Sequence, residues 1–372
     1  MKWVRVILMV LMLASTVSAS QAERETENQR LSQIKAKRDR GEQITLEERR
    51  FAQSVMARGN QRNAATRFRD YAKKHPPQDS VGLVPLIDLG TGTYKTEVGG
   101  LYPGGENVPP QGHLQAGLAI ASRIGPLNRD GRKDESGKIV LLSVGMSNTT
   151  QEFQAFQRLA AAEEELNPQL LIVDGAQGGQ TAAVTAKPEA NFWKVVDKRL
   201  NASGVTPKQV QVVWLKQANA GPSRSFPAEA RKLEADIIAT LHNLSDRFAN
   251  LKITYLSSRI YAGYAVTPLN PEPHAYESAF AVKWVIARQI AGQPELNFDS
   301  AKGTVRSAWL AWGPYLWADG VKGRKDGLTY VRSDLGSDGT HPSISGREKV
   351  AKQLLSFLKS DPTSRPWFLA GR

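Results

Sequence analysis

The apolar positions of this chain form short runs that alternate with longer amphipathic stretches. The clearest run is Ile139–Val144, which is rich in branched residues and is bounded by Gly137 and Gly145. A short uninterrupted apolar run is typical of a strand that is buried on both faces. Further runs of this kind predict strands at Leu83–Leu89, Leu170–Asp174, Val210–Leu215 and Ile253–Leu256.

Stretches with apolar residues three and four positions apart predict the helices between these runs. They lie at Gln111–Arg123, from Gln151 onward, at residues 187–200, at Pro227–Ala249, at Tyr276–Ile290 and from about Ser345 to Lys359. Strands that alternate with helices indicate an α/β protein with a mostly parallel sheet and helices on both faces. The carboxyl ends of parallel strands meet at one edge, so we expect the polar residues that follow them to converge there.

Ser147 follows the Ile139–Val144 strand at that edge, two positions after Gly145. Asn148, Thr149 and Thr150 are residue types that cap helix N-termini, and we expect them to begin the helix at Gln151. Ser147 is therefore placed on a strand–turn–helix corner, where ligands bind in open α/β sheets. On this segment alone it is either a candidate nucleophile or only a turn residue.

A second candidate segment, Asp338-Gly339-Thr340-His341-Pro342, comes just before the last predicted helix. The short spacing lets the Asp338 carboxylate accept the ring N–H of His341. An imidazole held in one tautomer by a carboxylate can remove the proton of a serine hydroxyl near neutral pH. The alternative is an ordinary turn with a surface histidine.

The N-terminal region differs from the rest of the chain. Residues 1–22 resemble a bacterial secretory signal peptide, with Lys2 and Arg5 before the apolar segment Val6–Leu13. This predicts a secreted or periplasmic protein without stable membrane insertion after cleavage. The chain has no cysteine, which excludes disulfides and thiolate chemistry.

Residues 23–76 are predicted to form a basic helical arm, and residues 77–372 a catalytic domain. The net charge of the chain is +13, and residues 23–75 carry 14 basic and 8 acidic side chains. This charge either attracts anionic polymers and membrane surfaces or is a solvated helical face. Thr45 and Glu48 form a capping-box pattern, Gly59-Asn60 predicts a break between two helices, and Pro76-Pro77 marks the boundary. No segment resembles a nucleic-acid-binding module.

The segments together resemble the SGNH hydrolase superfamily, the GDSL-like esterases. Gly145-Met146-Ser147-Asn148 is similar to the first block of that family, closest to its sialate O-acetylesterase-like and acetylxylan esterase-like carbohydrate esterases. Gly178-Gly179-Gln180-Thr181 resembles the second block and Trp214–Asn219 the third. Asp338–Pro342 resembles the last. The resemblance implies a three-layer α/β/α sandwich of the flavodoxin-like type with a five-stranded parallel sheet.

The resemblance also implies the role of each site residue. Ser147 would be the nucleophile, His341 the base and Asp338 its orienting carboxylate, without a metal or cofactor. The oxyanion hole would use the N–H of Ser147, the N–H of Gly179 rather than Gly178, and the side chain of Asn219 or Gln217.

Aromatic residues supply the remaining candidates for substrate binding. Tyr102 lies in a glycine-rich loop at residues 90–112, and Trp312 and Trp317 lie in a segment with four aromatic residues in nine, Trp309–Trp317. Such rings either stack on sugars or fill the core.

Three function classes follow. The first is an exported serine esterase that hydrolyses an acyl ester, an acetyl ester above all, on a carbohydrate. The second is a lipase-type esterase of the same fold. The third is a non-catalytic carbohydrate or cell-envelope binding protein.

Overall fold

The computed structural model describes Glu23, residues 25–40 and residues 42–371. The predicted signal peptide, residues 1–22, lies outside this part of the chain. The chain divides into two compact units between Asp70 and Tyr71. The predicted boundary at Pro76-Pro77 lies shortly after this division.

The first unit is helical. Residues 25–39 form one helix, and α1 (Leu46–Lys74) follows it and ends in the second unit. The predicted capping box is present, because the Glu48 N–H donates to the Thr45 hydroxyl and the Thr45 N–H donates to the Glu48 carboxylate. The predicted break at Gly59-Asn60 is wrong. A glycine inside a helix costs only about 1 kcal/mol relative to alanine, which the neighbouring helix-forming residues can offset.

The second unit contains two sheets. The strands β1 (Thr93–Tyr94) and β2 (Glu97–Val98) form a small antiparallel pair. The main sheet has five parallel strands in the order β4-β3-β5-β6-β7. These strands are β3 (Ile139–Gly145), β4 (Leu170–Asp174), β5 (Val210–Lys216), β6 (Ile253–Ser257) and β7 (Trp309–Trp312).

Two of the sequence predictions for strands need correction. Leu83–Leu89 is not a strand, because Leu86–Leu89 forms the short helix α2, in which the Pro85 carbonyl accepts the N–H groups of Asp88 and Leu89. The fifth strand is instead β7, within the aromatic segment. Its four residues are all buried, and their apolar run lies within an aromatic segment that sequence analysis considered only for sugar binding or core packing.

Helices cover both faces of the main sheet. They are α3 (Gln111–Ala121), α4 (Ser147–Ala161), α5 (Ala182–Thr185), α6 (Asn191–Ala202), α7 (Ala228–Arg247), α8 (His274–Ile290), α9 (Ile344–Ser360) and α10 (Arg365–Phe368). Short 3₁₀ helices lie at Pro103–Gly105, Pro207–Gln209, Pro294–Leu296, Ser300–Lys302 and Arg332–Asp334. Right-handed crossovers put α4 on one face and α6, α7 and α8 on the other. The architecture is therefore the expected three-layer sandwich with a five-stranded parallel sheet.

The strand order creates a crevice beside β3. The chain leaves β3 toward β4 on one side, and the later strands β5, β6 and β7 lie on the other side. Ligands in open α/β sheets bind at such a switch point, outside the carboxyl ends of the strands. Here Gly145 at the end of β3 lies opposite Lys216 at the end of β5. No helix among the described residues is long and apolar enough to span a membrane.

Candidate active site

Ser147 lies at the switch point, as the first residue of α4. The chain turns sharply from β3 into α4, and Gly145 permits this turn. A Cβ atom on Gly145 would lie 2.3 Å from the Thr149 hydroxyl and 2.4 Å from the Lys216 carbonyl oxygen. No side chain fits that space, so the glycine lets α4 start directly above the end of β5.

The helix begins earlier than predicted, at Ser147 rather than Gln151, with Met146 as the N-cap. The three polar residues expected to cap it bind other loops instead. Asn148 donates to the Thr340 carbonyl at 2.9 Å, Thr149 donates to the Lys216 carbonyl at 2.8 Å, and the Thr150 hydroxyl binds Asp174. These side chains thereby fix the Ser147 corner to its neighbours, including the loop that carries His341.

The structure brings Ser147, His341 and Asp338 together. Ser147 and His341 are 194 positions apart, yet the Ser147 Oγ lies 2.7 Å from the His341 Nε2. The His341 Nδ1 lies 2.5 Å from the Asp338 Oδ2. This is the order of contacts in which a carboxylate holds an imidazole and the imidazole accepts a serine proton.

Backbone N–H groups of the loop that holds Asp338 and His341 bind the Asp338 carboxylate. Asp338 Oδ1 accepts the backbone N–H groups of Thr340 and His341, each at 3.0 Å. Burial raises the pKa of Asp338, but the hydrogen bonds from the His341 ring and from these two N–H groups outweigh it and lower the pKa to about 2. The carboxylate therefore stays charged at neutral pH and favours the ring N–H tautomer that donates to it.

Gly339 gives this loop its tight fit. Its φ is +65°, and a Cβ atom there would lie 1.8 Å from the Tyr264 carbonyl oxygen. Both the positive φ and the lack of space for a Cβ atom require a glycine at this position. The loop consequently packs closely against the segment that follows β6.

Ser147 and Gly179 both line the same cavity. The Ser147 N–H has no acceptor within its own helix, because it belongs to the first turn of α4. Gly179 lies in the loop after β4, has a φ of +74° and lines the cavity next to Ser147. Gly178 does not line that cavity.

The loop after β5 presents Asn219 and Gln217 differently. Asn219 lines the cavity, with its Nδ2 donating to Asp236 at 2.6 Å and its Oδ1 accepting the Ala183 N–H at 3.0 Å. One N–H of its amide remains. Gln217 does not line the cavity, and its Nε2 donates to the Gln180 carbonyl and to the Thr185 hydroxyl. Of these two residues, Asn219 lines the cavity and Gln217 does not.

The cavity beside Ser147 is small, about 70 Å³. It is lined by loops from four strand ends, with Met146, Asn148, Thr181, Ala220, Arg259, Leu269, Asn270 and Thr340 completing the wall. These loops converge because the carboxyl ends of parallel strands lie at the same edge of the sheet. Among the described residues, no group of three potential metal ligands lies together.

Three predicted substrate-binding residues do not line this cavity. Tyr102, Trp312 and Trp317 are 4%, 3% and 0% exposed. Tyr102 and Trp312 border a separate groove of about 740 Å³, and the Trp317 indole donates to Glu272 at 2.8 Å. The prediction that they bind substrate needs correction, because all three side chains are buried in the core, the other role that the sequence left open for them.

Sequence reasoning missed Arg259 and Asn270 as residues of the cavity. Both lie in the segment after β6, which extends along the carboxyl edge of the sheet. The signal for Arg259 was present, since Ser257-Ser258-Arg259 follows the predicted strand Ile253–Leu256. Asn270 lies further from that strand, and only the folded loop brings it to the site.

Comparisons with known proteins give weak similarity to solved structures. No family model matches the chain, and no curated protein matches it. Among solved structures, the protein YxiM of Bacillus subtilis is similar, with 10% sequence identity and a TM-score of 0.34. The alignment covers 61% of this chain and 58% of YxiM, so the chain spans less than two thirds of that protein.

Proposed function

We propose that this protein is a serine hydrolase of carboxylic esters, related to the SGNH hydrolases, in which Ser147, His341 and Asp338 form the catalytic triad. The observation that carries the proposal is the continuous contact from Ser147 Oγ to His341 Nε2 and from His341 Nδ1 to Asp338, at 2.7 and 2.5 Å. The position of this contact at the switch point of the sheet, where ligands bind in open α/β sheets, further supports the proposal.

In the proposed reaction the Ser147 hydroxyl attacks the ester carbonyl carbon while His341 takes its proton. The carbon–oxygen bond to the alcohol then breaks, and His341 returns the proton to the leaving alcohol. A water molecule, deprotonated by His341, attacks the acyl-enzyme and releases the acid and free Ser147. Asp338 stabilises the imidazolium in both halves.

The negative charge that develops on the carbonyl oxygen requires fixed donors. Ser147, Gly179 and Asn219 all line the same cavity, and each carries an N–H group that can serve as a donor. Donors fixed before the reaction stabilise the transition state without reorganisation. We assign these three groups to the oxyanion hole.

The size of the cavity supports a short acyl group. Its volume is about 70 Å³, less than half of the roughly 150 Å³ apolar cavity that holds a benzene molecule. An acetyl group fits within this space, whereas a long acyl chain would extend out of it. This favours an acetylesterase over a lipase-type enzyme. The carbohydrate alcohol and the export of the protein rest on the motif resemblance and on the signal-peptide pattern.

The proposal is tested with chromogenic esters of acetate, butyrate and octanoate. We expect hydrolysis of the acetyl ester, a steep decline with chain length, and complete dependence on Ser147 in comparison with Ser147→Ala. Retained turnover in the Ser147→Ala protein would refute the triad. Equal rates for acetyl and octanoyl esters would refute the short acyl pocket.

A further inference from the structure

A carboxylate outside the cavity binds the side chain of Asn219. Asp236 lies on helix α7, and its Oδ2 accepts an N–H of the Asn219 amide at 2.6 Å. This distance is at the short end for an N–H···O bond, as is usual when the acceptor is a carboxylate. Asp236 does not line the cavity beside Ser147. It therefore contacts a proposed oxyanion donor without contacting the space assigned to the substrate.

The oxygen of the same amide is bound from another side. The N–H of Ala183, in helix α5, donates to the Asn219 Oδ1 at 3.0 Å. Helix α5 is in turn bound to α7, because the Asn243 Nδ2 donates to the Thr185 carbonyl at 2.9 Å. The two groups that bind the amide thus lie on two helices that are hydrogen-bonded to each other.

These two partners permit only one orientation of the Asn219 amide. A carboxylate accepts hydrogen bonds, and a backbone N–H only donates them. A half-turn of the amide would place its oxygen against the Asp236 carboxylate and its NH₂ group against the Ala183 N–H. Both hydrogen bonds would be lost, and groups of like polarity would face each other. The amide nitrogen therefore stays on the side of Asp236 before any substrate binds.

We infer that Asp236 is a positioning residue for the oxyanion hole, and that it acts on the reaction through Asn219. This inference rests on the proposed esterase function and on the assignment of Asn219 to the oxyanion hole. A donor stabilises the developing oxyanion best when its direction is fixed before the reaction. Asp236 supplies this fixed direction from a helix that does not touch the ester.

The first test is the steady-state hydrolysis of 4-nitrophenyl acetate by Asp236→Ala. We expect kcat to fall by about tenfold to a hundredfold with KM nearly unchanged, because a small misplacement of a catalytic group has an effect of this size. A purely structural role would instead lower Tm and leave kcat per folded molecule unchanged. Differential scanning calorimetry and active-site titration separate the two roles.

Two further variants serve as controls. Asp236→Asn should retain most of the activity, because its side-chain oxygen still accepts the N–H of Asn219. Lys232→Ala is the matched control, since the Lys232 Nζ lies 3.7 Å from the same carboxylate on the same helix. This variant should leave kcat unchanged. A loss of kcat in Lys232→Ala as large as that in Asp236→Ala would overturn the inference, because the hydrogen bond to Asn219 would then not be its cause.

A double-mutant cycle tests whether Asp236 acts through Asn219. Asp236→Ala should lower kcat in the wild-type background and have no further effect in Asn219→Ala, because the amide that it positions is then missing. Losses that multiply in the double variant would show that Asp236 acts independently and would overturn the inference. If Asp236→Ala does not fold, Asp236→Glu takes its place in the cycle, since it keeps the charge but moves the acceptor by one methylene group.

These outcomes distinguish the inference from the proposed function. A wild-type protein that hydrolyses the ester, with Asp236→Ala equal to it in kcat, would overturn the role of Asp236 and leave the proposed function standing. A wild-type protein that hydrolyses no ester would refute both.

Discussion

The side-chain amide of Asn219, which lines the cavity, is bound by two groups. Asp236 accepts one of its N–H groups, and its oxygen accepts the Ala183 N–H. The side chain is thus held from two sides before any substrate arrives. This is the property that an oxyanion donor needs, because a donor that must reorient during the reaction stabilises the transition state less.

We predict that Asn219→Ala lowers kcat for an acetyl ester by about a hundredfold to a thousandfold with little change in KM, the usual loss for one oxyanion donor. Steady-state kinetics measures both constants. Gln217→Ala should slow the reaction much less, since the Gln217 amide donates to Gln180 and Thr185. If the two variants exchange their behaviour, the third donor is Gln217. If neither slows the reaction tenfold, it lies elsewhere.

The candidate residues that local sequence could predict are those whose chemistry depends on near neighbours in the chain. Ser147 follows a glycine at a strand end, and Asp338 and His341 are three positions apart. Arg259 and Asn270 are different. Both follow β6, and they line the cavity only when the loops after β3, β5 and β6 have folded together.

At the scale of elements, one ion pair ties helix α4 to strand β5. The Lys216 ammonium lies 2.5 Å from Glu152 Oε2, and both side chains are fully buried. Burial lowers the pKa of Lys216 to about 8, against the opposing charge of Glu152. Because Ser147 begins α4 and Lys216 ends β5, this pair lies beneath the candidate site and fixes the height of α4 above the sheet.

We predict that Glu152→Gln lowers the free energy of unfolding by about 3–5 kcal/mol, because it leaves a buried ammonium without its counter-ion. Denaturant titration measures the change. The double variant Glu152→Gln/Lys216→Met is the control and should recover a large part of the loss. A loss below about 1 kcal/mol in Glu152→Gln would mean that Lys216 finds other compensation.

Hydrophobic patterning predicts the bounds of some strands correctly. The predicted strands at Ile139–Val144 and Leu170–Asp174 match the observed strands within one residue, because buried parallel strands carry uninterrupted apolar runs. Leu83–Leu89 carries a similar run and is helical at its end. Length and hydrophobicity alone do not distinguish a buried strand from a short helix in such a run. At Leu83–Leu89, Pro85 decides the local conformation. Strand β7 was not predicted, because it lies in a run of aromatic residues that is also compatible with a binding surface.

At the scale of the whole molecule, the segment after α1 anchors the start of the second unit. The Gln78 N–H donates to the Gly263 carbonyl at 2.9 Å, and the Gln78 carbonyl accepts the Tyr261 hydroxyl at 2.7 Å. The buried carboxylate of Asp319 accepts the Val81 N–H at 2.8 Å. Residues from Gln78 onward therefore belong to the α/β unit by their contacts.

We predict that deletion of residues 23–75 leaves the α/β unit folded, with Tm changed by no more than about 3 °C. Differential scanning calorimetry measures the transition. The control deletion extends to Gly82 and removes the partners of Asp319 and Tyr261, so it should lower Tm by about 10 °C. Loss of a cooperative transition in the shorter deletion would show that the helical unit contributes to the stability of the sheet.

The central claim is that Ser147 is a nucleophile activated by His341. The most direct measurement is covalent labelling by a fluorophosphonate, followed by intact-mass and peptide analysis, because only an activated serine reacts rapidly with such a reagent. The account predicts one adduct per chain, on Ser147, none in Ser147→Ala, and strongly slowed labelling in His341→Ala at unchanged Tm. A wild-type protein that is not labelled, or is labelled on another serine, would contradict it.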